Sequence, residues 1–203
     1  MAREPLNKGT LNRLRRQEAL YARVLPSLDL KRRQLIAERQ RARHELDELD
    51  RDIEQGLARA AAVLPMIALR SIPLKGLVRV EQLEIGWQNL LGVSLPRVES
   101  VEVAVQPYSY LAKPHWVDGA TQRARELAEL RLRREVAAER LRRLEEAQRK
   151  AVQRVNLLDK VLIPQTREKI RRVEIALADA ERTAVVRSKI AKRRNRRVAE
   201  RVP

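Results

Sequence analysis

The side chains that could do chemistry in this chain are few, and none stands in a catalytic setting. Its two histidines are His44, set among charges, and His115, in the run Lys-Pro-His-Trp. Neither belongs to a His-Glu-x-x-His pair, and a lone histidine of this kind is solvated or structural. Asp47 and Asp50 lie next to arginines, with no apolar pocket in view that would retune a proton-transfer group. Ser94 and Ser109 have no triad context, and there is neither a Gly-rich phosphate loop nor a Gly-x-Gly-x-x-Gly. With no cysteine, disulfides and thiolate metal sites are excluded. The reading is a chain that is not itself an enzyme, with no catalytic residue, no cofactor site and no metal site.

What the chain does carry is positive charge, a formal +17 over 203 residues. In the last stretch Arg187, Lys189, Lys192, Arg193, Arg194, Arg196 and Arg197 face a single acid, Glu200. Such a density suits nucleic-acid phosphates, an anionic membrane surface or an acidic protein partner, and charge alone does not choose among them. No window approaches 18 uncharged apolar residues, and the opening Met-Ala-Arg-Glu-Pro-Leu-Asn-Lys lacks the apolar core of a signal peptide. The expectation is a cytoplasmic protein.

The elements that would position this charge are helical. There is no Phe, and only two Trp and three Tyr, so a thick globular core is not to be expected. Lys, Arg, Glu and Asp make up 35% of residues, beside Leu, Val, Ile and Ala, as in long helices and coiled coils. From about Thr10, a candidate cap, the pattern is helical, with Leu11 and Leu14 on one face and a kink or short break expected at Leu25–Ser27 around Pro26. Ala42, Leu46, Leu49, Ile53, Gly56, Ala60, Val63 and Ile67 then alternate steps of three and four, a heptad seam whose small members allow close approach of a second helix.

A second helix is expected from about Gly119 to Arg196, capped by Asp118 or Thr121, about 110 Å long at 1.5 Å per residue. Leu127, Leu130, Ala137, Leu141, Leu144, Ala151, Val155, Leu158 and Leu162 form its seam, with Arg134 and Gln148 at two seam positions. The stripe passes through Pro164 and resumes at Ile170, Val173 and Leu177, and the steps of four from Leu158 to Ile170 act as a stutter. A proline in a helix interior costs roughly 3 kcal/mol, so this stripe needs a partner, and the other half of the chain is the natural one.

Between the helices the character changes. Prolines at 65, 73, 96, 107 and 114 and glycines at 76, 86 and 92 mark a non-helical insert, with alternating stretches at 77–81 and 98–105. Trp87, Tyr108, Tyr110 and Trp116 gather in or beside it. The fold expected is mainly α: a long antiparallel two-helix coiled-coil hairpin. Its small insert would contain short helices and two short strands or a β-hairpin, with Gly92 or Gly86 at the turn. The divisions are an N-terminal helix in 1–68, an insert in 69–117 and a C-terminal helix with a basic tail in 118–203.

Arg154-Val155-Asn156-Leu157-Leu158-Asp159, followed by Val161-Leu162-Ile163-Pro164, resembles the Arg-Val-Asn-Ala-Leu-Glu and Val-Ile-Pro pattern of the D subunit of the V-type and archaeal-type rotary ATPases and ATP synthases. Asn89-Leu90-Leu91-Gly92-Val93-Ser94-Leu95-Pro96 is similar to that family's Asn-Ile-Met-Gly-Val-x-Val-Pro, and the likeness extends over nearly the whole length. Val24-Leu25-Pro26 departs from it, where the family has Arg-Gly and helix-compatible residues, and Leu157 replaces a usual alanine.

The resemblance implies a central rotor shaft, one copy per complex. It would couple ATP hydrolysis or synthesis in a hexamer of catalytic A and B subunits to proton or sodium transport through the membrane ring. It would bind no nucleotide itself and would be peripheral to the membrane. Arg154, Val155, Asn156, Leu158, Ile163 and Pro164 are the family signature. Leu11, Leu14, Lys189, Lys192, Arg193, Arg194, Arg196 and Arg197 would sit at the tip in the A/B cavity. The insert end would meet the small F subunit of the stalk and the membrane-ring adaptor. Two rivals stand beside this reading: a basic hairpin binding nucleic acid or the ribosome, and a parallel dimeric scaffold coiled coil, against which Pro164 and the insert argue.

Overall fold

The computed structural model describes residues 5–63, 76–108 and 116–199. The elements are α1 (Lys8–Val63), β1 (Val78–Leu90), β2 (Val93–Val105), α2 (Trp116–Leu157), a π-helical turn (Leu158–Leu162) and α3 (Ile163–Ala199). The fold is mainly helical, with a two-stranded antiparallel sheet set into it. His115, Ser109, Tyr110 and Ile67, together with the prolines at 65, 73 and 114, lie outside the described residues.

The chain divides into two compact units, residues 1–30 with 151–203 and residues 31–150. In the first, the start of α1 packs antiparallel to α3. Leu14, Ile170 and Val173 are buried together, with Leu11 and Leu177 against them. Three exposed ion pairs run along this seam in the antiparallel order: Lys8–Glu181 at 3.7 Å, Arg15–Glu174 at 2.6 Å and Arg167–Glu18 at 2.7 Å. Exposed pairs of this kind are worth only about 0–1 kcal/mol each, so the buried apolar layer supplies most of the hold.

In the second unit, residues 31–63 of α1 run antiparallel to α2. Leu35, Ala42, Val136, Ala137, Leu141 and Leu144 are buried, while Leu46, Leu49, Ile53, Gly56 and Ala60 are half-buried. Arg134, an odd residue for a seam, donates from Nε to Asp50 Oδ1 at 2.9 Å, so the charge is paired across the helices. At Gly56 the partner helix comes close: a Cβ there would lie 2.8 Å from Leu127 Cδ2. Gly56→Leu is therefore expected to cost about 1–3 kcal/mol by overpacking, read as a lowered melting temperature. An unchanged value would mean that Leu127 can swing clear.

The structure departs from the sequence expectations at four backbone positions. Helix α1 starts at Lys8, and its cap is Asn7, whose Oδ1 accepts from the Thr10 amide at 2.7 Å; Thr10 is buried inside the first turn. No break occurs at Pro26, because α1 continues through it. Helix α2 begins at Trp116, so Thr121 lies in its second turn, where its hydroxyl donates to the Asp118 carbonyl at 2.9 Å. The stutter before Pro164 is a π-helical turn in which the Ile163 amide donates to the Leu158 carbonyl, five residues back. That one extra residue carries the buried stripe from Val155 to Ile163, Thr166, Ile170 and Val173, leaving Leu158 and Leu162 only half-buried.

The sheet is longer than the two short strands read from the alternation. β1 and β2 pair over 13 residues each, joined by the two-residue turn Leu91-Gly92. Both turn residues have positive φ, 55° and 76°, as a type I′ turn requires, and Gly92 takes its conformation without a Cβ penalty. Asn89 Oδ1 accepts from the Gly92 amide at 3.0 Å and fixes the turn. Glu81 in β1 and Glu99 in β2 are extra residues that shift the register. These bulges interrupt the simple in-and-out alternation, which is why only parts of each strand looked like strand.

Candidate functional site

Two surfaces and one backbone feature carry the residues singled out above. The first surface is the C-terminal part of α3. Lys8 pairs with Glu181, and α3 runs on to Ala199, eighteen residues further or about 27 Å. Lys189, Lys192, Arg193, Arg194 and Arg196 are exposed there, as are Val185, Val186 and Ile190, and Arg197 follows near the helix end. Leu14 is buried and Leu11 half-buried, so these two hold the helices together, while Leu6 beside them is exposed. The basic residues and the two leucines thus fall near one end of the same unit, in different roles.

The second surface joins the sheet to α2. The Arg143 guanidinium lies 4.7 Å from the centre of the Trp87 ring, and its Nη1 donates to the Ser94 carbonyl at 3.2 Å. Glu139, one turn earlier, accepts from Arg143 Nε at 2.7 Å and from Arg142 Nε and Nη2 at 2.7 and 2.8 Å. One carboxylate thus aims the arginine that touches both strands of the hairpin. Beneath Trp87 a groove of about 590 Å³ is lined by Val80, Leu83, Ile85, Pro96, Leu132 and Val136. None of Glu139, Arg143 or Trp87 could be assigned this task from sequence, because the contact joins residues about 50 apart. An arginine one turn after a glutamate on a helix looks the same when it faces only water.

The Glu139 carboxyl is held down to about 2 by its hydrogen bonds to Arg142 and Arg143 and by their charge. A lowered pKa means stability that is complete above the ordinary 4.5 and is lost as pH falls through about 2. The difference in melting temperature between the native chain and Glu139→Gln is accordingly expected to close as pH is lowered from about 5 toward 2. A constant difference over that window would mean that the carboxylate charge is not what matters.

The signature segment is the backbone feature. Arg154 and Pro164 are exposed, Asn156 and Leu158 half-buried, and Val155 and Ile163 buried, on either side of the π-helical turn. Its residues therefore serve packing at two positions and face outward at others. Of the coiled-coil seam, Leu141, Leu144 and Val155 are buried, and Leu46, Leu49, Ile53, Gly56 and Ala60 are partly covered. Among the described residues no group of three or more His, Asp or Glu is arranged to hold a metal ion. No described helix is long and apolar enough to cross a membrane.

Residues 10–193 match the family model of the ATP synthase D subunit. The chain belongs to that family. It is 34% identical over 192 residues to a V-type ATP synthase D subunit of Chlamydia pneumoniae, with 92% of each chain covered. To the D subunit of Chlamydia caviae it is 33% identical over 195 residues, again with 92% of each covered. To that of Chlamydia muridarum it is 34% identical over 191 residues, covering 93% of this chain and 94% of the relative. The match takes in both helical stretches and the hairpin, so the basic part of α3 and the Trp87 surface belong to a chain of the D-subunit family.

Proposed function

We propose that this chain is the central shaft of a rotary V-type ATP synthase, non-catalytic itself, turning within a hexamer of A and B subunits. The observation that carries the reading is the basic length of α3 that continues past the Lys8–Glu181 pair, in a chain of the D-subunit family. A helix that leaves its partner behind and presents lysines and arginines all along its length suits contact with acidic loops at several angles. Exposed ion pairs are individually weak and readily exchanged. Such contacts let a part bind and still turn.

In this reading the tip comprises Leu11, Leu14, Lys189, Lys192, Arg193, Arg194, Arg196 and Arg197, and Arg154, Val155, Asn156, Leu158, Ile163 and Pro164 form the signature stretch behind it. The hairpin side meets the small F subunit and the membrane-ring adaptor. Torque passes between ATP turnover in the ring and ion movement in the membrane without nucleotide binding here. The chain is then cytoplasmic and peripheral to the membrane.

The test mixes the chain with the A and B subunits of its own source and reads the assembly by native mass spectrometry, with excess duplex DNA as competitor. One copy per A/B hexamer, surviving the DNA, is the expected result. Failure to assemble, with tight and salt-sensitive DNA binding instead, would overturn the rotor reading in favour of a nucleic-acid-binding hairpin.

A further inference from the structure

Within the first unit two helix-interior prolines fall at one level. Glu18 pairs with Arg167 and Arg15 with Glu174. Eight residues on from Glu18 is Pro26, and eight back from Arg167 is Asp159. Counted from the other pair, Pro26 is eleven residues beyond Arg15, and eleven back from Glu174 is Ile163. Pro26 therefore lies level with the π-helical turn Leu158–Leu162 and its following Pro164.

Each proline lacks an amide hydrogen, so each helix has a carbonyl one turn back without its usual partner. Each also has a neighbouring hydroxyl bonded back onto the helix: Ser27 Oγ donates to the Val24 carbonyl at 2.8 Å, and Thr166 Oγ1 to the Leu162 carbonyl at 2.6 Å. Back-bonding of this kind bends helices and competes with the backbone ladder. Packing is thin here too. No side chain of α1 from residue 15 to residue 30 is buried, and none in the π-helical turn is.

A pair of packed helices is stiff because bending one requires stretching or sliding the other. Staggered defects would each be splinted by intact helix alongside, whereas defects at the same level are not. We infer that Pro26 and the Leu158–Pro164 segment together form a compliant joint in the helix pair, a place where it bends and twists more readily than above or below. The joint is a property of the chain alone and goes beyond the rotor reading, which can fail without touching it.

The absence of cysteine allows two exposed sites, Gln153 and Ala178, to be replaced by cysteine and labelled with nitroxides in the full chain. They lie on either side of the π-helical turn, about 38 Å apart along the helix. Electron-electron double resonance then gives the distribution of their separation. The native sequence is expected to give a distribution about twice as wide as Pro26→Ala/Pro164→Ala, with each single variant between the two. Equal widths in the native chain and the double variant, whether both narrow or both broad, would overturn the joint. Helix content by circular dichroism confirms that the variants are folded, and the native width alone, if as narrow as an uninterrupted helix gives, is enough to sink the idea.

Discussion

Replacing Leu144 with alanine is expected to lower the melting temperature by roughly 5–15 °C. Leu144 is 0% exposed, and it lies on α2 one turn after Leu141, itself buried. A two-helix seam has few buried residues to share the load: opposite α2, Leu46, Leu49 and Ile53 are only partly covered. Deleting a fully enclosed leucine removes its transfer energy and leaves a void that rigid neighbours fill poorly, about 2–5 kcal/mol in all. Leu157, 50% exposed on the same helix, is the control, and its alanine variant should stay within about 0.5 kcal/mol of the native chain. Equal effects at the two positions, measured by thermal unfolding, would show that α2 is not held through the Leu144 face.

Removing Arg187–Pro203 is expected to weaken association with the A/B hexamer about ten- to a hundredfold, or roughly 1.4–2.8 kcal/mol, and to impair coupled turnover in proportion. The described residues lost are exposed through Arg196, and the ion pairs between α1 and α3 lie before the cut, at Glu181, Glu174 and Arg167. The melting temperature should therefore move little, which separates loss of contact from loss of fold. In the proposed arrangement the F subunit meets the hairpin side, so its binding should persist with the surface around Trp87 and Arg143 untouched. Loss of that binding in this variant would mean that the two ends have been assigned the wrong way round, and full retention of hexamer affinity would remove the tip from the mechanism.

Much of this could be read from the sequence, for a definite reason. The heptad steps from Ala42 to Ala60 and from Leu127 to Val155 repeat often enough to give helices and a facing seam, and a run such as Asn89-Leu90-Leu91-Gly92 signals a turn. What the sequence did not disclose depends on non-local support. Pro26 reads as a break because the local rule for proline is strong, yet α1 continues through it, with its nearest buried side chains at Leu14 and Leu35. Thr10 reads as the cap of α1, but it is the Asn7 side-chain oxygen that reaches the third amide of the turn, which is that of Thr10 itself. The apolar steps of four before Pro164 fit a stutter or a π-helical turn equally well. Only backbone geometry shows the extra residue that brings Ile163, rather than Leu162, into the seam. The Arg143–Trp87 contact was hidden for the same reason, since a strand and a helix distant in sequence have to meet before it exists.

The bulges at Glu81 and Glu99 have a consequence for solubility. Among the described residues the ribbon has only two strands, so each has an edge without a strand beside it, a template on which another chain could add one. Thirteen regular residues per strand, rich in valine, would make both edges inviting. An extra glutamate in each strand breaks the spacing of outward amides and carbonyls and sharpens the local twist, so no straight strand can zip along the full length. Glu84 and Glu102 add further negative charge nearby. The bulged ribbon is thereby a poor template for a strand from another copy of the chain.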